Sequence, residues 1–337
     1  MSPDTIQHIL IPTAQILVVV MILPLLIAYL QLVERKVLGF MQARLAPRRV
    51  GWHGLLQPIA DAVKLLIKED IIPEQSDRFL VTLAPIATVI PALAALAVIP
   101  FAGASFTLYG YEVRPFITDV NVALLYLLAI SSLGIYGIIL GGWASNSKYS
   151  LLGALRSSAQ MISYEVPLGF AVIGVMMMAG TASMVGIVEA QRTAGVWYVL
   201  PQIVGFFCYF IAAIAETNRV PFDLPEAEAE LVAGFHTEYS SMKFGLFFLG
   251  EFANVIAISC IAVTLFLGGW NGPWLPDSLK FMWFFAKLGA LLFFFIWVRW
   301  TYPRLRYDQL MHFGWKVLVP FATLNILLTA AAVTFLP

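Results

Sequence analysis

Long apolar runs separated by short polar connections set the pattern of this chain. A helix needs about twenty mostly apolar residues to cross the hydrocarbon core of a bilayer. A window of that size finds runs near 11–33, 79–101, 119–142, 160–186, 197–215, 244–270, 280–300 and 316–336. The pattern predicts an all-α polytopic membrane protein of eight transmembrane helices, forming a single membrane domain over residues 1–337. Pro24, Pro85, Pro91 and Pro167, with Gly134, Gly137, Gly169 and Gly174, fall inside the runs. Several spans are therefore expected to be tilted or kinked, because neighbouring helices can satisfy the backbone groups that such residues free. Between the first two runs, Leu55, Leu56, Ile59, Ala60, Val63, Leu66 and Ile67 recur at steps of three and four, with Gln57, Asp61, Lys64 and Lys68 opposite. This spacing predicts an amphipathic helix at the inner membrane surface. Asp61 is the odd residue in it, since a face that only anchors to headgroups is usually purely basic.

Charge distribution gives the orientation. The connections 34–78, 143–159, 216–243 and 301–315, with the flanking Arg299 and Lys316, carry 16 of the 20 Lys and Arg residues. Cytoplasmic loops hold the excess of positive charge, so both termini are expected outside, in the periplasm of a bacterial inner membrane. Sixty per cent of the 337 residues are apolar, 12% are charged and mean hydropathy is +0.85, which excludes a soluble globular chain. The first basic residue is Arg35, so the first apolar run lacks the basic flank of a signal peptide and is expected to remain in the mature protein. Twenty acidic residues balance twenty basic ones, which argues against nucleic-acid binding. Cys208 and Cys260 lie in apolar runs, and His8, His53, His236 and His312 are scattered. No metal-ligand spacing, glycine-rich nucleotide loop or disulfide framework stands out. Any electrons must come from a partner.

The informative residues are acids in or at the ends of the apolar runs: Glu34, Asp119, Glu165, Glu216 and Glu251. An acidic residue at a helix centre costs about 2.5–3.5 kcal/mol on insertion scales, so it faces a polar cavity, pairs, or carries a proton. Glu34 has Arg35 and Lys36 beside it, Glu216 has Arg219 one turn away, and Asp119 can cap its own helix. Glu165 and Glu251 have no cation close in sequence. Such carboxyls bind and release protons in response to nearby charge. Hydroxyls such as Tyr126, Ser131, Ser132, Tyr136, Ser163 and Tyr164 could bridge them.

The connection after the fifth run is crowded with acids. From Ala215 to Glu230 it holds five acids and one arginine. Asp223 and Glu226 fit a capping box and Pro225 a first helical turn, so a helix is expected to start there with Glu226, Glu228 and Glu230 near its N-terminus. An acidic first turn on a solvated helix accounts for this pattern. The accompanying Val220, Phe222, Leu224, Leu231, Val232 and Phe235 favour acids that line a cavity instead. The basic stretch Glu34 to Gly51 and the aromatic one Arg299 to Asp308 each read, alone, as positive flanks of a span.

Taken in order, these segments resemble one family, the quinone-site membrane subunit of proton-pumping NADH:quinone oxidoreductase. Its carriers are Glu34-Arg-Lys with Arg44 and Val50-Gly51, Trp143 to Ser147 through Gly153-Ala-Leu-Arg156, Ile162 to Val166, Ala215 to Arg219 through Pro225 to Glu230, and Tyr302 to Asp308. The resemblance covers nearly the whole chain. It implies a chamber for the quinone headgroup, with Glu34, Arg35, Arg44, Asp61, Arg219 and Asp223 along the tunnel or its entrance and Glu226, Glu228 and Glu230 facing it. Glu165, Glu216 and Glu251 match carboxyls that link the chamber to a proton path. Quinone is the implied substrate, and no cofactor is held by the chain itself. The implied partners are adjacent membrane-arm subunits, membrane lipid and peripheral-arm subunits, including the one carrying the terminal iron–sulfur cluster. The related membrane subunit of a hydrogenase, a stand-alone proton-coupled transporter and a passive anchor are the competing readings. The transporter lacks a visible internal repeat, and the anchor leaves Glu165 and Glu251 unexplained.

Overall fold

In the computed structural model, which describes residues 6–103, 105–108, 111–223 and 233–335, the apolar runs form a helical bundle. The first helix, α1 (Ile11–Met41), is followed by the amphipathic α2 (Gln57–Ile67) and by α3 (Arg78–Ala95). Two short antiparallel strands, β1 (Phe106–Leu108) and β2 (Tyr111–Val113), interrupt the helices before α4 (Ala123–Ala144) and α5 (Lys148–Ala179). Then come α6 (Met184–Ala194), α7 (Ile203–Glu216), α8 (Ser241–Phe266) and α9 (Phe281–Thr301). Finally α10 (Tyr307–Phe313) runs through a π-helical turn into α11 (Val319–Phe335). Among the described residues seven helices are long and apolar enough to cross a membrane, counting Tyr307–Phe335 as one, and α7 is an eighth, shorter apolar helix. The expected helix start with Glu226, Glu228 and Glu230 lies outside the described residues.

Helix ends depart from the apolar runs for physical reasons. α1 continues eight residues past the run that stops at 33, because Glu34 is buried at 5% exposure and finds charge partners inside the bundle. α5 starts at Lys148 rather than near 160, so most of the expected inner loop 143–159 is helix. Its serines lower hydropathy there but break no helix. It ends at Ala179 rather than 186, where Gly180 turns left-handed with φ +67°, the conformation that glycine adopts most readily. The four prolines sit within continuous helices.

Close approaches and buried polar contacts hold the bundle together. α3 and α4 run antiparallel: Tyr126 donates to the Ala94 carbonyl at 3.2 Å. At the other end of the pair a Cβ on Gly137 would lie 2.3 Å from Thr88 Cγ2. Small residues at a crossing are what membrane helices need, since dispersion contacts replace the hydrophobic drive. Gln202, ahead of α7, donates to Thr329 Oγ1 at 2.6 Å and accepts from Asn325 at 2.6 Å. This ties α7 to α11. A Cβ on Gly174 or Gly205 would come within 2.9 Å of the same amide oxygen. Lys287, within the apolar run of α9, donates to the carbonyls of Leu267, Gly269 and Asn271 at 2.6, 3.0 and 2.5 Å, with its ammonium 4.4 Å from the Trp197 ring centroid. The positive charge thus closes the C-terminal end of α8. α8 is the most enclosed of the long helices and α1 the least.

Candidate functional site

Where the loop-side ends of α1, α7, α8 and α9 meet, four charged side chains converge in the interior. Arg219, just after α7, reaches Glu34 of α1 at 3.1 Å and Glu251 of α8 at 2.7 Å. Arg299 of α9 takes the other Glu34 oxygen at 2.5 Å. The Arg219 guanidinium also lies 4.0 Å from the Phe252 ring centroid, over its face, where the ring quadrupole adds attraction. Arg219 is 6% exposed and Glu34 5%. Two acids and two arginines balance, the condition under which burying charge is tolerated.

These contacts correct several sequence expectations. Glu34 pairs with Arg219 and Arg299, far away in the chain, and not with Arg35 or Lys36. Arg219 serves Glu34 and Glu251, not Glu216 one turn before it. Glu251, which has no cation near it in sequence, has one in space. Asp119 does not cap its own helix but accepts from Ser183, the N-cap of α6, at 2.8 Å.

Behind the arginines lies a small cavity of about 50 Å³ whose walls include both Glu216 and Glu251, with Asn218, Asn254 and His236. One water needs roughly 10–15 Å³ measured this way, so the space holds a few. Glu216, buried at the end of α7, faces Ser131 and Glu165 on its other side. Ser132, next along α4, donates a hydrogen bond to Glu165. Among the described residues neither Glu165 nor Glu216 has a salt bridge. The acids therefore fall in the order Glu251, cavity, Glu216, Ser131 with Ser132, Glu165. The other hydroxyls expected to bridge acids do not. Tyr126, Ser163 and Tyr164 donate to the carbonyls of Ala94, Ala159 and Leu310, and Tyr136 is exposed.

On the loop side the expected tunnel residues are spread over separate places. Arg35 pairs with Asp61 of α2 at 2.6 Å, joined by Gln57 at 3.0 Å and Lys64 at 3.7 Å. Arg44 lines another cavity, of about 340 Å³, with Lys36, Arg48 and His53. Asp223 is buried against Arg304 at 2.9 Å. Glu226, Glu228 and Glu230 lie outside the described residues. An apolar cavity of about 870 Å³ runs between α7, α9 and α10, beside Pro221 and Phe222, with Asp308, Gln309 and His312 supplying its polar groups. Sequence reasoning missed the roles of Arg299 and Arg304, since positive-inside flanking accounted for both.

The Arg35–Asp61 pair is the tether of α2 to α1. Burial alone would raise the Asp61 carboxyl, but hydrogen bonds from Arg35 and Gln57 and the charges of Arg35 and Lys64 outweigh it and hold it below its ordinary value. A depressed acid stabilises above its unfolded value and loses that contribution as pH falls through the folded one. The tether is therefore complete above about pH 4 and fails below it. With Arg35 nearly half exposed, its contribution is about 0.5 kcal/mol. Asp61→Asn is expected to raise amide exchange in residues 57–67 slightly at neutral pH and to abolish the acid-side change; identical exchange in both proteins from neutral to acid pH would disprove the tether.

Comparison with known proteins adds a direct finding. The family model described as NADH dehydrogenase matches residues 14–330. The chain is 54% identical over 329 residues to the first of the NADH-quinone oxidoreductase H subunits of Geobacter metallireducens, covering 98% of each chain. It is 56% identical over 306 residues to the NADH-quinone oxidoreductase H subunit of Syntrophotalea carbinolica, covering 91% of each. It is 52% identical over 322 residues to the second of the NADH-quinone oxidoreductase H subunits of Geobacter sulfurreducens, covering 96% of each. Among the described residues there is no group of three or more His, Cys, Asp or Glu side chains placed to hold a metal ion.

Proposed function

The chain belongs to the family of NADH-quinone oxidoreductase H subunits, and from that membership we propose that it forms much of the quinone chamber and couples quinone reduction to proton movement through its buried carboxyls. Reducing a quinone to quinol takes up two electrons and two protons. The electrons come from a partner subunit's redox centre, and the quinone headgroup is the group whose charge changes. With both termini on the periplasmic side of a bacterial inner membrane, the ion cluster and the acid-rich connection face the peripheral arm.

Field effects at this range are sufficient for coupling. Unit charges 4 Å apart interact by about 4 kcal/mol at an effective dielectric constant of 20. Arg219 divides its guanidinium between Glu34 and Glu251. A negative charge, or its loss, on the loop side alters how strongly Arg219 holds Glu251. When the hold weakens, Glu251 takes a proton; when it strengthens, Glu251 gives one up. The order Glu251, cavity, Glu216, serines, Glu165 gives that proton a way across the bundle toward neighbouring membrane subunits.

The observation that carries this reading is the small cavity lined by both Glu216 and Glu251, directly behind the arginine cluster. It favours a subunit that moves protons within a larger assembly over a passive anchor. The names of the relatives favour quinone over the acceptor of a hydrogenase.

A photoreactive quinone with its label on the headgroup tests the chamber in membranes containing the assembled enzyme. Cross-links are expected within residues 34–48, 216–223 and 299–309, and excess quinone is expected to compete them away. Labelling confined to the outward faces of α1 and α11, unaffected by competitor, would overturn the proposal.

A further inference from the structure

Of the residues lining the cavity between Glu216 and Glu251, one more can carry a proton: His236. Asn218, Asn254 and Thr217 share the wall and can hydrogen-bond, but they do not titrate. The two nitrogens of an imidazole let it accept a proton on one side while donating one on the other.

The backbone holds this ring in place. His236 ends a short 3₁₀ turn, Gly234–His236, between the acid-rich connection and α8. Phe235 and Phe244 pack edge-to-face against the ring at centroid distances of 4.9 and 5.3 Å. The turn itself lies tightly on α5, where a Cβ on Gly153 would meet Gly234 Cα at 2.9 Å and the Phe235 nitrogen at 3.0 Å. On its far side the Tyr239 amide donates to the His236 carbonyl at 3.0 Å, and the Tyr239 hydroxyl to the Gly141 carbonyl at 3.2 Å. The ring is only partly buried.

We propose that His236 is the proton-transfer residue joining the cavity to the acid-rich loop side. This deepens the coupling role proposed above and rests on it. A proton arriving from the loop side binds one ring nitrogen, and the proton on the other nitrogen leaves into the cavity for the carboxylate of Glu216 or Glu251. Reversal of the same steps, or reorientation of the ring, restores the starting tautomer, so no net charge is left on the histidine. The packing role of the ring against Phe235 and Phe244 is separate, because an uncharged side chain can fill it.

The test uses the assembled enzyme in proteoliposomes, with rates normalised to NADH oxidation by a soluble artificial acceptor so that only assembled complex is counted. His236→Gln and His236→Ala are expected to lower quinone reduction and proton translocation together by about a hundredfold, the lower end of what a lost acid–base transfer step costs. Added imidazole is expected to restore much of the His236→Ala rate and none of that of Glu216→Gln. Rescue of this kind separates proton transfer from packing. Normal rates in both His236 variants beside a defective Glu216→Gln enzyme would overturn the role of His236 and leave the carboxyl path standing. A loss in the His236 variants that imidazole does not relieve would also overturn it, as a packing effect. Normal rates in Glu216→Gln as well would remove the path on which the proposal depends.

Discussion

Arg219→Met is expected to abolish quinone-dependent turnover or to prevent assembly altogether. Removing one member of a buried ion pair leaves the other charged and unsolvated, which costs about 3–5 kcal/mol, equivalent to roughly a 10²–10⁴-fold loss if it falls on an activation or assembly step. Glu34 keeps Arg299 at 2.5 Å, while Glu251 loses its 2.7 Å ion pair. Arg219→Lys is expected to recover only a small part of the function. The guanidinium reaches Glu34 with one terminal nitrogen and Glu251 with its inner one while lying over Phe252; a lysine ammonium is a single point charge and cannot reproduce that fork. Arg219→Met combined with Glu251→Gln is expected to restore assembly, because the acid of α8 that Arg219 holds is neutralised together with it, yet not turnover, because the switchable carboxyl is gone. Gel mobility of the complex reads the first and quinone reductase the second. An Arg219→Met enzyme with normal turnover would show that the cluster is ornamental.

The contrast with Asp61 shows why position decides the size of an effect. Both residues sit in ion pairs of similar length. The Arg35–Asp61 pair, however, has its arginine nearly half exposed, where such pairs contribute little, whereas the Arg219 guanidinium and its partner Glu34 are buried. Counting charges in the sequence treats the two alike.

What could be read from the sequence follows the same division. The spans were legible because a bilayer imposes about twenty apolar residues on any helix that crosses it, and the amphipathic α2 was legible because its two faces differ in composition. Helix ends were less so: α1 outruns its apolar stretch because Glu34 is paired internally, and nothing local to residues 33–41 signals that partner. Glu34 meets Arg219 across 185 positions and Arg299 across 265. Such pairings depend on how helices stack, which hydropathy does not encode. The hint that was present is general. An acid kept in an apolar span requires a partner or a cavity, and the lone arginine among the five acids of residues 216–230 was the candidate cation. The structure supplies both, a partner for Glu251 and a cavity beside it. Glu165 has no cation near it in sequence, and Glu216 leaves its neighbour Arg219 to other acids; these two face each other and a serine pair instead.

That last arrangement sets the second large expectation. Glu216→Gln is expected to lower quinone reduction and proton translocation together by about 10²-fold, the scale on which positioned proton-transfer groups act, while NADH oxidation by a soluble acceptor measures how much enzyme is assembled. Glutamine has the shape and hydrogen-bonding reach of a protonated glutamic acid, so it keeps the contacts to Ser131 and the packing at the end of α7. What it lacks is a proton to release. If the site works by alternation, this substitution fixes it in one half of the cycle and the whole coupled reaction stalls, since reduction cannot complete against a path that will not empty. Glu165→Gln is expected to produce the same coupled loss, and the double variant no more than either single one, because both residues belong to one path and their effects do not add. Loss of proton translocation with quinone reduction intact would instead place Glu216 downstream of an uncoupling point. Normal values of both quantities would take the residue off the path.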